Sequence, residues 1–387
     1  MLKKVKIGDL GEVLTGNTPS KRNNEFYESE DIMFVKPDIL SFDIIDIKQS
    51  NEYLSEKARE KARIIPKGSL LVSCIGNIGK LGINTEEVAF NQQINAIVHN
   101  SKISSSKYLA YLLKYNQKKL ESIANAPVVP IINKSQFSDF ELLIHEELEV
   151  QRKIVEILDK AQELIDKRKE QIEALDELVK SQFIEMFGDP VTNSKGWKKK
   201  KLNELGELSR GKSKHRPRNA PELLGGPYPL VQTGDIANAG IYLKEYTQTY
   251  SELGLKQSKM WDKGTLCITI AANIAKTSIL TFDACFPDSV VAFIPNDKTN
   301  NMFIQFWMSF LQKILEDSAP ESAQKNINLK ILSEQNVIVP PIELQNQFAD
   351  FVNQVDKLKF KMEKSLKELE DNFNSLMQKA FKGELFN

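Results

Sequence analysis

The sequence predicts an α+β protein with an internal pseudo-twofold repeat: two similar globular α+β domains separated by two long antiparallel helices forming a coiled coil. Three observations predict this class. The second half of the 387-residue chain repeats the first half at an offset of about 195 residues. Each half opens with short apolar runs broken by Gly, Pro and Asn, which is typical of strands and turns. Each half then ends in a long heptad pattern.

The repeat covers a whole domain together with its connector. Repeats of solenoid proteins span only about 20–50 residues, so a period this long indicates a duplicated domain. The matching positions are turn, basic and apolar residues in the same order. They pair Lys6, Leu10, Gly11, Glu12 and Gly16 with Lys201, Leu205, Gly206, Glu207 and Gly211; Lys67, Gly68, Asn77 and Lys80 with Lys263, Gly264, Asn273 and Lys276; and Gln151 with Gln345.

The patterns divide the chain into four segments. Residues 1–145 and 188–340 are the predicted globular domains, and residues 146–187 and 341–387 are the predicted helical spacers. The runs SLLVSCIG (69–76) and TLCITIAA (265–272) each follow a Lys-Gly turn and are predicted to be buried strands. Residues 108–123 and 303–317 carry the apolar spacing of one helix per domain.

Each spacer predicts one long helix with a single apolar stripe, which needs a partner helix. The nearest partner is the other copy of the same helix. We expect the two helices to run antiparallel, because this arrangement places the two domains at opposite ends, related by a pseudo-twofold axis. The alternative is a coil that merely dimerises the protein.

The charge distribution favours a polyanionic partner although the net charge is zero. Residues 1–145 carry 19 basic and 17 acidic residues, and residues 188–340 carry 19 and 15. The first spacer is acidic, with 7 basic and 12 acidic residues. Residues 195–220 alone contain ten Lys or Arg against two Glu. Local patches, and not the total, determine affinity for phosphates.

Patterns of catalytic or cofactor sites are missing. The chain has no phosphate-binding loop and no dinucleotide fingerprint, and its three histidines have neither metal-ligand nor triad spacing. Cys74, Cys267 and Cys285 lie at unrelated positions and are predicted to be buried thiols. The start has no signal-peptide core, and no apolar run approaches the about 20 residues of a membrane span. We therefore expect a cytoplasmic protein.

The candidate binding residues are polar positions within strand–turn segments. Asn77 and Lys80 in IGNIGK recur as Asn273 and Lys276 in AANIAK. Asn can bind adenine bidentately and Lys can reach guanine or phosphate, whereas the alternative is that the Asn side chains only satisfy the turns. The segments FNQQ (90–93) and FPDS (286–289) share a frame but differ at their polar tips, as expected of two readers of different sequences.

A basic loop in the second half, with a sparser first copy around Lys21 and Arg22, completes the prediction. Such a loop can also be merely solvated, but here it opens a domain with reader-like features. The predicted DNA-contacting residues of the first domain are Lys21, Arg22, Lys36, Asn77, Lys80, Asn91 and Gln92. Those of the second domain are Lys212, Lys214, Arg216, Arg218, Gln232, Asn273, Lys276, Asp288, Ser289 and Lys325.

Over its whole length the chain resembles the specificity subunit of type I restriction–modification systems. The first half carries the resemblance in LGEVLTGNTPSK (10–21), SCIGNIGKLGI (73–83), FNQQINAI (90–97) and the segment LEVQRKIVEILDKAQELIDKRKEQIEALDELVKSQFIEMFGDP (148–190). The second half carries it in LGELSRGK (205–212), AANIAKTSILTFDACFPDSVVAFIP (271–295), QKNINLKIL (324–332) and VPPIELQNQF (339–348). One departure is visible: Pro340-Pro341 precedes the second helix, but His145-Glu146 stands at the equivalent place in the first half.

The resemblance implies two target-recognition domains, each reading half of an interrupted sequence in double-stranded DNA, with the helices as a ruler between them. It implies two methyltransferase subunits that bring S-adenosylmethionine and flip the target adenine, and restriction subunits that use ATP and Mg. No cofactor is expected in this chain, and no membrane partner.

Three alternatives remain open from the sequence. The chain can serve a related system whose partner fuses methyltransferase and nuclease, it can be an enzyme itself, or it can be a coiled-coil scaffold that joins two protein-binding domains. The missing cofactor and catalytic motifs argue against the enzyme.

Overall fold

The structure, a computed structural model, describes residues 1–125, 129–271, 274–318 and 327–386. Two compact units share the chain. The first unit comprises Met1–Lys169 and Lys364–Asn387, and the second comprises Glu170–Glu363. Among the described residues, no helix has both the length and the apolar character needed to cross a bilayer.

The first unit is built on a five-stranded sheet in the order β2-β10-β7-β8-β4 and a four-stranded sheet in the order β5-β3-β9-β6. A separate pair joins β1 to β11. The strands are β1 (Leu2–Lys6), β2 (Gly11–Thr15), β3 (Ile32–Val35), β4 (Asp46–Ile47), β5 (Tyr53–Leu54), β6 (Ile64–Ile65), β7 (Leu70–Ser73), β8 (Leu81–Asn84), β9 (Val88–Phe90), β10 (Ile94–His99) and β11 (Glu141–His145).

The helices of the first unit pack against the five-stranded sheet and share one core with it. They are α1 (Ser106–Tyr115), α2 (Gln117–Ser122), α3 (Lys134–Ser138) and the 40-residue α4 (Leu148–Phe187). Short 3-10 turns occupy Ile7–Asp9, Asn24–Tyr27 and Glu56–Ala58. The prediction of one helix over 108–123 was wrong in detail. Asn116 interrupts it, because its side-chain amide donates back to the carbonyl of Leu112 at 2.9 Å.

The second unit repeats this topology strand for strand. Its sheets have the orders β13-β21-β18-β19-β15 and β16-β14-β20-β17, with the pair β12-β22. The strands are β12 (Lys199–Lys201), β13 (Gly206–Arg210), β14 (Leu224–Leu230), β15 (Tyr242–Leu243), β16 (Gln248–Tyr250), β17 (Met260–Trp261), β18 (Leu266–Thr269), β19 (Thr277–Leu280), β20 (Ala284–Cys285), β21 (Val290–Pro295) and β22 (Asn336–Ile338). The predicted internal repeat and α+β class are therefore confirmed.

The helices of the second unit are α5 (Thr233–Asn238), α6 (Glu252–Lys256), α7 (Asn301–Ser318), α8 (Leu329–Ser333) and the 41-residue α9 (Ile342–Lys382), with 3-10 turns at Leu202–Glu204 and Pro221–Leu223. Of these, α7, α8 and α9 correspond to α1, α3 and α4, whereas α5 and α6 have no α-helical counterpart among the described residues of the first unit. The turns before β7 and β18 show why the repeat keeps a glycine. Gly68 and Gly264 adopt φ angles of 79° and 89°, a left-handed conformation that favours glycine.

The long helices α4 and α9 run antiparallel, as predicted. Lys169 on α4 lies 3.8 Å from Glu370, and Asp176, further along α4, binds Lys359, which lies earlier on α9. The apolar stripes are buried within the two units. The first unit buries Ile154, Leu158 and Ile165 with Phe373, Met377, Ala380 and Phe381; the second buries Leu175, Val179, Phe183 and Phe187 with Phe348, Val352 and Val355.

Aromatic contacts fix each globular body to these helices. In the first unit, the hydroxyl of Tyr111 on α1 donates to the carboxylate of Asp159 on α4 at 2.7 Å. In the second unit, the ring of Phe183 on α4 stacks on Phe303 of α7 at 5.6 Å and meets Phe348 of α9 edge-on at 5.3 Å. Each fully buried large apolar side chain of this kind contributes about 1.5–3 kcal/mol.

A repeated buried glutamine joins the start of each long helix to the domain before it. The Nε2 of Gln151 donates to the carbonyls of His145 at 2.7 Å and Lys102 at 3.0 Å. Its Oε1 accepts from the amide of Ser104 at 2.7 Å. These bonds satisfy backbone groups that burial would otherwise leave unpaired.

Gln345 repeats this arrangement in the second unit. Its Nε2 donates to the carbonyls of Pro340 at 2.9 Å and Lys298 at 3.1 Å. Its Oε1 accepts from the hydroxyl of Thr299 at 2.8 Å and the amide of Asn300 at 3.3 Å. Both glutamines are fully buried.

The missing Pro-Pro does not prevent the first helix from starting. Helix α4 begins at Leu148, and α9 begins at Ile342, directly after Pro341. His145 takes a structural role at this junction: its backbone amide donates to the hydroxyl of Tyr108 at 3.0 Å, and that hydroxyl lies 3.1 Å from its Nδ1. Burial lowers the pKa of His145, which favours the neutral ring there.

The three cysteines are buried and free, as predicted. Burial raises the pKa of the Cys74 thiol to about 12 and also raises the pKa of the Cys267 and Cys285 thiols. They therefore act as small apolar core residues.

The hydrogen bonds that Gln345 makes to the preceding domain, which we call the glutamine clamp, give the first prediction. Gln345→Met keeps the size and helix propensity of the side chain but leaves buried carbonyls and an amide unpaired. We expect the free energy of unfolding to fall by about 2–4 kcal/mol. Urea denaturation followed by circular dichroism measures this change. The matched control is Gln347→Met, two residues away on an exposed face of α9, which should shift stability by less than about 0.5 kcal/mol. Equal effects of the two substitutions would contradict the clamp.

Candidate nucleic-acid interface

Three loops meet at one edge of each globular body. Loop L1 follows β2 in the first unit, where it comprises residues 16–23, and β13 in the second unit, where it comprises residues 211–219. Loop L2 comprises residues 61–63 and 257–259, and loop L3 comprises residues 90–93 and 286–289. The glycine that opens L1 explains the close fit. A Cβ on Gly16 would collide with the carbonyls of Phe90 and Asn91, and one on Gly211 with those of Phe286 and Pro287.

Loop L2 is hydrogen-bonded to loop L1 in both units. In the first unit, the Asn17 side chain donates to the carbonyl of Lys61 at 2.7 Å and accepts from the amide of Arg63 at 2.6 Å. In the second unit, Oε1 of Gln257 accepts from the amides of Lys214 at 2.7 Å and His215 at 3.1 Å. L1 and L2 therefore form one surface in each unit.

These bonds bring in cations that the sequence analysis missed. Lys61 and Arg63 are exposed beside L1 in the first unit, and Lys259 occupies the position equivalent to Arg63 in the second. The Nζ of Lys259 lies 3.7 Å from the centroid of the Trp261 ring. The repeat offset was the signal that could have identified Arg63 and Lys259, because both are basic at the same place in the two halves.

The cations of L1 divide into unpaired and paired groups. Among the described residues, Lys21, Arg22, Lys212 and Lys214 are exposed and form no ion pair. Unpaired exposed cations can neutralise phosphates and release their counterions. Lys36 differs, because it forms an ion pair with Glu52 and lies 5.9 Å from the Phe34 ring centroid.

Arg216 and Arg218 are paired with a carboxylate of L3. One Nη of Arg218 lies 2.6 Å from the Asp288 carboxylate, and one Nη of Arg216 lies 3.8 Å from it. Ser289, the next residue, is partly buried, and its carbonyl accepts from the amide of Ile270 at 3.0 Å.

In the first unit, the polar tip of L3 divides into an outer and an inner residue. Gln92 is exposed, and its Oε1 accepts from the hydroxyl of Thr18 in L1 at 2.8 Å. Asn91 is only 6% exposed. Its side chain donates to Oε1 of Gln93 at 3.0 Å and accepts from the Gln93 amide at 3.1 Å. Asn91 therefore supports the loop, and Gln92 faces outward.

The turn that contains Asn77 lies beside L3, because the amide of Cys74 donates to the carbonyl of Gln93 at 2.8 Å. Ser73 closes this turn: its hydroxyl accepts from the Lys80 amide at 2.9 Å and donates to the Asn77 carbonyl at 2.5 Å. The side chain of Asn77 is exposed and has no hydrogen-bond partner within the described residues. This geometry favours a side chain available for a ligand over one that satisfies the turn.

The second unit keeps the same turn chemistry. The hydroxyl of Thr269 accepts from the amide of Lys276 at 3.0 Å. Ala275 adopts a φ of 58°, the left-handed conformation that Gly79 adopts in the first unit. Asn273 and Lys325, two predicted contacts, lie outside the described residues. In the first unit the Nζ of Lys80 lies 5.9 Å from the centroid of the exposed Phe42 ring.

Lys36 and Gln232 occupy equivalent places next to L3. The carbonyl of Val35, the residue before Lys36, accepts from the Asn91 amide at 3.1 Å. The amide of Val231, the residue before Gln232, donates at 2.8 Å to the carbonyl of Cys285, which directly precedes L3. Gln232 is exposed and donates to Oε1 of Gln248 at 2.6 Å. Printed contacts thus join L1 to L2 and L3 in each unit, and the turn of Asn77 to L3 in the first unit. These neighbouring segments carry exposed cations suited to phosphates and, in the first unit, the exposed amides of Asn77 and Gln92, which are suited to base edges.

Comparison with known proteins identifies the same repeat. The model of a protein family described as "Type I restriction modification DNA specificity domain" matches residues 2–175 and again residues 194–371. A specificity subunit of the type I restriction enzyme MjaIX from Methanocaldococcus jannaschii is 25% identical over 98% of this chain and 92% of its own length. The HindI specificity subunit of Haemophilus influenzae is 32% identical over 40% of this chain and 35% of its own length.

Solved structures agree at the level of the fold. A chain from a study of complex assembly and conformational transition of the type I R-M system superposes with a TM-score of 0.65 at 17% identity, covering 99% of this chain and 98% of that one. The type I S subunit from M. genitalium superposes with a TM-score of 0.58 at 16% identity, covering 98% and 96%.

Asn77 gives a prediction about base contacts. Asn77→Ala should weaken binding to the cognate duplex by about 1–3 kcal/mol if the amide reads a base edge. The melting temperature should not change, because the side chain makes no hydrogen bond within the described structure. Fluorescence anisotropy with cognate and shuffled duplexes measures the first effect, and a thermal melt measures the second. Normal binding combined with earlier unfolding would assign Asn77 to the turn alone.

The unpaired lysines of L1 give a contrasting prediction. Replacing Lys212 and Lys214 together with Gln should weaken binding to all sequences alike. The slope of log K against log salt should become shallower by about two, since each phosphate contact contributes about 0.9. Titrations at several salt concentrations measure this slope. Lys263→Gln, at an exposed turn before β18, serves as the control, and an equal change in that variant would contradict a local role for L1.

Proposed function

Because this chain belongs to the type I restriction modification DNA specificity family, whose domain it contains twice, we propose that it is a sequence-specific DNA-recognition subunit. It reads a bipartite, interrupted target in double-stranded DNA. It directs the methyltransferase and restriction subunits of a type I restriction–modification complex to that target.

The observation that carries this proposal is the pair of matching surfaces with different tips. Both units form the same L1, L2 and L3 loops on the same strand order. Gln92 stands where Asp288 stands in the other unit, so the frame is shared but the hydrogen-bonding groups differ. Two readers of different half-sites require this combination, since phosphate contacts position a protein and base contacts specify the sequence.

We assign the target-recognition domains to residues 1–145 and 188–340, and the spacers to residues 146–187 and 341–387. The antiparallel spacer helices support this division, because each is a continuous helix between or after the domains.

We assign the chemistry to partner subunits. The relatives are described as specificity subunits of restriction enzymes, which is a recognition role within a larger enzyme. Two methyltransferase subunits would supply S-adenosylmethionine, and restriction subunits would supply ATP- and Mg-dependent cleavage. This chain would act on DNA in the cytoplasm as the non-catalytic component.

Domain exchange tests the proposal. Residues 198–340 are replaced by the homologous segment of another specificity subunit, and the methylated sites are mapped in cells that express the methyltransferase partner. We expect only one half of the recognised sequence to change, because each domain carries its own loops. The unchanged chain with the same partner is the control. Loss of both half-specificities in a folded chimaera would contradict independent readers.

A further inference from the structure

Asp288 is surrounded by arginines at the edge of the second reading surface. Its two carboxylate oxygens face different partners: one lies 2.6 Å from Arg218, and the other lies 3.8 Å from Arg216. Its backbone carbonyl accepts from Nε of Arg210 at 2.9 Å. All three arginines come from β13 or L1, and the carboxylate of this one residue of L3 pairs with two of them.

The arrangement differs from its surroundings in two ways. Lys212 and Lys214, in the same L1 loop, form no ion pair among the described residues. In the first unit the equivalent residue is the neutral Gln92, which bonds the hydroxyl of Thr18. The counter-ion is therefore placed at two particular arginines of one domain and is not a general property of the surface.

We propose that Asp288 is a positioning and specificity-determining residue, a built-in counter-ion that keeps Arg216 and Arg218 from binding DNA phosphates indiscriminately. This inference rests on the proposed function. The Asp288 oxygen nearest Arg218 is itself buried, but the side chains of Arg216 and Arg218 remain 57% and 45% exposed. Ion pairs that involve such exposed side chains are weak, so DNA can compete for the two arginines. Phosphates near the arginines then meet a nearby negative charge whatever the sequence.

The cost of that negative charge differs between specific and non-specific DNA. Non-specific duplexes offer mainly phosphates, so no favourable contact offsets the repulsion between Asp288 and the phosphates. A cognate base pair can offset this repulsion, because an aspartate accepts a hydrogen bond from the amino group of cytosine while an arginine binds guanine. Asp288 therefore increases the difference in affinity between the two kinds of DNA.

The test uses the complete chain assembled with its methyltransferase subunits. Binding is measured over a range of salt concentrations to a duplex of about 30 base pairs that contains the mapped methylation site, and to a duplex of shuffled sequence. In Asp288→Asn, we expect affinity for the shuffled duplex to rise about three- to tenfold. The slope of log K against log salt should steepen by about one to two, as one or two new phosphate contacts form. The ratio of cognate to shuffled affinity should fall.

Three further variants make the result specific. Asp288→Glu should restore the wild-type slope, since it restores the charge. Asp297→Asn, which removes the same charge from an exposed loop of the same unit, should leave the slope unchanged. Adding Arg218→Gln and Arg216→Gln to Asp288→Asn should abolish the increase in affinity for the shuffled duplex. A slope in Asp288→Asn equal to that in Asp297→Asn would overturn the inference.

A second variant applies if Asp288→Asn fails to fold. Asp288→Gln, which installs the neutral residue found at the equivalent position of the first unit, should also raise the affinity for the shuffled duplex and steepen the salt slope, because it removes the same charge. An unchanged affinity and slope in a folded Asp288→Gln complex overturn the inference. A wild-type complex that does not prefer the mapped duplex would instead refute the proposed function, whatever the behaviour of Asp288.

Discussion

The burial of two apolar helix stripes is the constraint on which the structure depends. Neither α4 nor α9 can bury its stripe against its own domain alone, since each helix continues for many turns beyond that domain. The core of the first unit therefore includes the end of α9, and the core of the second unit includes the end of α4. In the second unit, Phe183 of α4 meets Phe303 of the globular body and Phe348 of α9, so helix pairing and domain packing share the same side chains.

The buried glutamines give this packing a defined geometry. Apolar contacts are non-directional, whereas Gln151 and Gln345 each hold several backbone groups of the preceding domain at fixed distances. A helix that carries such a residue near its start cannot rotate freely beneath its domain. The loops at the sheet edge thus inherit an orientation relative to the helix on which their own domain is built.

Electrostatics distinguishes the two reading surfaces more than shape does. Both units keep the glycine contact between L1 and L3, and both place a cation on L2 at Arg63 or Lys259. The first surface leaves its loop cations unpaired and uses the neutral Gln92 at the tip. The second surface concentrates arginines and compensates two of them with Asp288. A duplicated frame can therefore diverge in specificity through a few side chains on loops, which tolerate change.

The sequence by itself determined the repeat, the α+β class, the long paired helices and the loops that carry polar tips. These features follow from periodicity and turn chemistry, which are local properties of a chain. Only the tertiary structure decided which of the candidate side chains are exposed and unpaired, and so available to contact DNA. It buried Asn91, left Asn77 exposed, compensated Lys36 with Glu52, and brought Arg63 beside L1. The physical reason is the strand order: sheet neighbours such as β2 and β10 are far apart in sequence, so partners of a loop residue lie on distant segments that no local pattern reveals.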